Sequence, residues 1–103
     1  MYFEDVWERS LRLTEERLRH VESSHPEMLG QTARIAETLK TPDYVVGSKT
    51  DESVELFYKL YNRTPVTTKY MCVVVKNGLH DQFVITAYYT DSVKKGKSLW
   101  QKQ

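Results

Sequence analysis

The stretch Tyr70-Met71-Cys72-Val73-Val74-Val75 constrains the fold of this chain more than any other. A near-continuous apolar run of this length, rich in β-branched residues, reads as a central strand buried on both faces. Asn77-Gly78 supplies turn chemistry soon after it, and residues 83–89 return as the partner strand. Residues 70–89 therefore read as a hairpin. Residues 54–61 alternate, with Val54, Leu56, Tyr58 and Leu60 of one parity, and Tyr44-Val45-Val46 is a short strand ended by Gly47. The last dozen residues read as a loop and a short terminal segment.

The N-terminal part reads differently. Trp7, Leu11 and Leu13 share one parity and Glu8, Ser10 and Arg12 the other, so residues 7–13 predict a strand. The competing reading is one long N-terminal helix, because Phe3, Val6 and Trp7 also fit helical spacing. Thr14 then serves as an N-cap. Glu15 and Glu16 behind it place negative charge at the positive end of a helix that runs through Leu18 and Val21 to about Ser23. Ser24-His25-Pro26-Glu27 fits the capping-box pattern of a second helix, with Met28, Thr32, Ile35, Ala36 and Leu39 on its buried face. Thr41-Pro42 ends it, since the residue before proline is pushed out of helical geometry.

Together these elements predict an α+β domain, with N-terminal helices packed on a mostly antiparallel sheet of four or five strands. The chain has 103 residues, enough for one domain. Its 40% apolar and 28% charged residues suit a single modest core. Cys72 is the only cysteine, which excludes an internal disulfide and a zinc site built on paired cysteines. No run approaches the roughly 18 apolar residues of a membrane span. The acidic start, Met1-Tyr2-Phe3-Glu4-Asp5, lacks the basic and apolar segments of a signal peptide. The expectation is a cytoplasmic protein with no membrane contact. A net charge of +1 hides an asymmetry: residues 1–60 carry 12 acids and 8 bases, residues 61–103 carry 2 acids and 7 bases. A distribution of this kind can steer a polyanion.

Candidate chemistry rests on few groups. His20 and His25 lie five residues apart across an expected bend, whereas a metal pair on one helix prefers a spacing of three or four. With no third ligand nearby, no metal site and no cofactor are expected. Imidazole titrates near neutral pH, so both histidines are candidates for general acid–base work. The competing reading makes His20 a helix C-terminal residue and His25 a cap. His80 reads as a solvated turn residue. Thr86 and Tyr88 share a parity on their strand, Lys76 ends the facing strand, and Lys94-Lys95-Gly96 follows. Hydroxyls beside lysines can hold phosphate by hydrogen bonds and charge. The chain has no P-loop, no dinucleotide-binding glycine fingerprint and no Gly-x-Ser-x-Gly elbow.

The ordered set formed by His20-Val21, His25-Pro26-Glu27, Thr38-Leu39 with Pro42-Asp43, Val73-Val74-Val75-Lys76, residues 83–88, and Lys94-Lys95-Gly96 with Leu99-Trp100 resembles the phage and bacterial nuclease-like domains of the BECR type. That superfamily groups barnase, EndoU, colicin-type tRNA nucleases and RelE-like toxins. The resemblance spans about Trp7 to Trp100. It implies helices on a four-stranded antiparallel sheet and metal-independent RNA cleavage. In that chemistry a base takes the ribose 2′-OH proton, an acid protonates the leaving 5′-oxygen, and cations stabilise the phosphorane. The family's helix histidine falls on His20, with His25 opening the His-Pro-Glu element; its strand lysine falls on Lys76 and its Thr-Ala-Tyr strand on Thr86 and Tyr88. Lys94 and Lys95 would grip RNA. The alternative is a non-catalytic RNA- or protein-binding module on the same fold, for instance one paired with an antitoxin-like partner. A further option is a tyrosine-rich sheet face that binds another chain.

Overall fold

A computed structural model describes all residues, Met1–Gln103. Its elements run β1 (Tyr2–Glu4), β2 (Ser10–Arg12), α1 (Glu15–Ser24), a 3-10 turn (Pro26–Met28), α2 (Thr32–Lys40), β3 (Tyr44–Gly47), β4 (Val54–Tyr61), β5 (Lys69–Asn77), β6 (Gln82–Thr90) and β7 (Lys97–Gln101). The architecture is α+β, with two helices and one sheet in the order β1-β2-β6-β5-β4-β3-β7. No helix is long and apolar enough to cross a membrane.

The sheet has seven strands rather than four or five. All neighbours pair antiparallel except β2 and β6, which meet in parallel at Arg12 and Phe83. β5 lies at the centre as expected, beside β6 and β4, and Met71, Cys72, Val73 and Val75 are fully buried. β1 and β7 are the additional edge strands.

Three local expectations change for identifiable reasons. The strand expected over residues 7–13 shortens to Ser10–Arg12. Upstream, Asp5 accepts the Trp7 and Arg9 amides at 2.9 and 2.8 Å, and Glu8 adopts a positive φ of 67°, so these residues form a turn instead. The capping box at Ser24–Glu27 does not form: His25 makes no side-chain cap, and the backbone takes one 3-10 turn. Gly30 then breaks the chain at φ 73°, and α2 starts only at Thr32. The C-terminal dozen residues, expected as a loop and a short terminal segment, supply a strand, β7, that pairs with β3.

The helices cover one face of the sheet. Thr14 accepts the Arg17 amide at 3.1 Å, as an N-cap should, and turns Leu18 and Val21 inward. Val21, Met28, Ile35 and Leu39 meet Val45, Phe57, Met71, Val73, Val75, Val84, Ala87 and Tyr89. A bulge in β6, where Val74 faces Thr86 but Val75 faces Val84, leaves Ile85 without a partner. It puts Val84 on the same face as Ala87 and Tyr89, and assigns Thr86 and Tyr88 to the other.

Candidate anion-binding cleft

The second sheet face carries no helix. Its floor is Val46, Leu56, Tyr58 and Cys72, flanked by the partly buried Tyr44, Val54, Tyr70, Val74, Tyr88 and Val93. It is crossed by the connection between β6 and β7, residues 91–96. This strap must travel from β6 over β5, β4 and β3 to reach the sheet edge. Val93 packs down on the floor, and the Lys94 amide donates to the Tyr58 hydroxyl at 3.2 Å. Where the strap reaches β3, Gly96 lies so close that a Cβ would stand 2.4 Å from the Gly47 carbonyl oxygen.

Beside the strap lies a cleft of about 400 Å³. Val46, Val54, Leu56 and Val74 line its floor, Thr86 and Tyr88 one wall, Ser48, Lys49 and Thr50 the opposite lip, and Lys94 and Lys95 its roof. No carboxylate lines it. Lys49, Lys94 and Lys95 are exposed and take part in no ion pair. The cleft thus combines free positive charge, four hydroxyl-bearing side chains and an apolar floor. That combination suits an anionic ligand with an apolar or aromatic part.

The groups beneath the cleft stay neutral. Burial pushes the Cys72 thiol up to about 11, and it lies against the Tyr88 and Tyr58 hydroxyls. Burial likewise raises Tyr58 to about 12 and moves Tyr88 in the same direction. Tyr88 therefore keeps its proton at neutral pH and can donate a hydrogen bond.

The structure brings together Thr86, Tyr88, Lys94 and Lys95, and leaves the other expected site residues outside. His25 stands behind Tyr88, half-buried, with ring centroids 5.5 Å apart and planes at 35°. Lys76 pairs with Asp51 at 2.9 Å, which occupies its charge at the edge of the face. His20 is the clearest departure. It sits in a shallow hollow with Glu16, Arg19 and Ser23 on the solvent side of α1, because Leu18 and Val21 claim the sheet side of that helix. The helix itself covers the opposite sheet face, so His20 does not share the cleft with Thr86. His80 lies at the β5–β6 turn, beside Tyr2 and Leu79, away from the cleft.

Ser48, Lys49 and Thr50 escaped the sequence reading. The one signal for them is their place immediately after a short strand ended by Gly47. No group of three or more His, Cys, Asp or Glu side chains is placed to hold a metal ion. Comparison with protein-family models, curated proteins and solved structures finds no match.

Proposed function

We propose that this cleft binds single-stranded RNA and cleaves it by attack of the ribose 2′-OH, the chemistry implied by the BECR-type resemblance. One observation carries the reading: three unpaired lysines and a set of hydroxyls surround an apolar floor with no carboxylate among the lining residues. Lys94 and Lys95 hold the phosphate and stabilise the charge that grows on it in the transition state. Thr86 and Tyr88 donate hydrogen bonds to its oxygens. The apolar floor takes a base or sugar. His25 replaces His20 as the candidate acid or base, since its ring stacks on Tyr88 at the wall of the cleft.

A second reading, RNA binding without cleavage, is favoured by one specific observation. Only one imidazole lies near the cleft, and it meets Tyr88 without lining the cavity, whereas 2′-OH attack uses both an acid and a base. One experiment separates the two. Labelled RNA and DNA of the same sequence are incubated with the protein in EDTA and in Mg²⁺, and binding and end groups are measured. Cleavage predicts 2′,3′-cyclic phosphate ends on RNA only, and slowing by roughly 10²-fold in His25→Ala. Retained but intact RNA under both conditions selects the binding reading. RNA that is neither bound nor cut removes both.

A further inference from the structure

We propose that Tyr58 is a positioning residue whose hydroxyl latches the strap, and with it Lys94 and Lys95, over the cleft. The inference rests on the RNA-binding reading of the cleft and adds how its roof is held.

The strap is short for the distance it covers. From β6 to β7 it crosses four strand spacings of about 4.8 Å, at most roughly 19 Å sideways on a flat sheet, and it also shifts about five residues along the strands, from the level of Tyr70 to that of Val75. Seven steps of extended chain reach only about 24 Å. The strap therefore has little slack, and its height above the sheet depends on anchors along its length. Gly96 is one, pressed on Gly47. Val93 is a second, through apolar contact with the floor. The third is polar: the Lys94 amide belongs to no strand ladder and donates to the hydroxyl of Tyr58, whose side chain is fully buried in the middle of β4. This bond fixes the backbone from which the Lys94 and Lys95 side chains spring.

Tyr58→Phe keeps the ring and its edge-to-face contact with Tyr70 while removing the latch. The wild-type Lys94 amide should be protected from hydrogen exchange, and Tyr58→Phe should release it. Loss of one such bond should weaken RNA affinity by about fivefold. It should also flatten the salt dependence of binding, because two of three phosphate contacts depend on the strap, and a purely structural role would leave that slope alone. An unprotected Lys94 amide in the wild type overturns the latch. So does released exchange in Tyr58→Phe with RNA affinity and salt slope unchanged, while Lys94→Ala and Lys95→Ala weaken binding. If those lysine variants bind RNA as the wild type does, the cleft assignment itself falls, and the latch falls with it.

Discussion

The Asp5 carboxylate is completely buried, although it belongs to the acidic start of the chain. Arg9 makes the burial tolerable. Its Nε donates to Asp5 at 2.7 Å and its Nη2 to Glu55 at 2.5 Å, and its guanidinium lies 4.7 Å from the centre of the Trp7 ring. Glu55 is nearly buried and comes from a strand 46 residues further on. Arg9→Leu would leave two facing carboxylates without their cation, and should cost about 3 kcal/mol or more in urea unfolding. Cys72 makes a pH prediction. Its folded pKa of about 11 lies above the ordinary 9.0, so the thiol favours the folded state fully below pH 9. That contribution is lost as pH rises from about 9 to about 11, because the unfolded chain loses the proton first. Stability at pH 11 should therefore fall by about 2 to 3 kcal/mol through this group, and Cys72→Ala should show a shallower alkaline loss than the wild type.

At the scale of elements, the strands that carry apolar residues at a shared parity or in an unbroken run were legible, β6 among them in spite of its bulge, and β7 was not. β4 matches its expected span because Val54, Leu56, Tyr58 and Leu60 keep one parity across its eight residues, although Glu55 and Phe57 on the other face are buried too. β7 was missed because a register shift against Val45 and Val46 puts consecutive residues, Leu99 and Trp100, against the same core, so no period of two is visible. The helix start at Thr14 was legible because its cap is local in sequence, and Thr14→Ala should cost about 1 kcal/mol. The false capping box at Ser24–Glu27 shows the opposite case. The pattern was present, but Leu29-Gly30 interrupts the helix before it can profit from the cap. The strap shows the same dependence on tertiary context. Gly96→Ala would push a methyl group into the Gly47 carbonyl, and should destabilise the fold by about 1 to 3 kcal/mol. Its RNA affinity should fall as well, measured at a temperature where the variant is still folded.

For the whole molecule, the charge asymmetry along the chain does not become two oppositely charged ends. β5 and β6, from the basic half, are inserted between β2 and β4 from the acidic half, and β7 pairs beyond β3. The cleft collects Lys49 from the first half and Lys94 and Lys95 from the second. If these three contact phosphates, binding of single-stranded RNA should fall with salt at a slope of roughly −2 in a log–log plot. Removing any one lysine should lower that slope by about 0.7, whereas Lys76→Ala should change it little, because Asp51 already holds that charge. The sequence alone determined the central hairpin, the first helix and its cap, the proline stop of the second helix and the α+β class. Each of these depends on periodicity, turn residues or steric rules that act within a few residues. The same parity argument placed Thr86 and Tyr88 together. Only the tertiary structure decided that His20 faces solvent, that His25 stands beside Tyr88, and that the strap brings Lys94 and Lys95 over that wall. These outcomes depend on which sheet face the helices cover and on a chain crossing three strands, and neither is encoded in a local pattern.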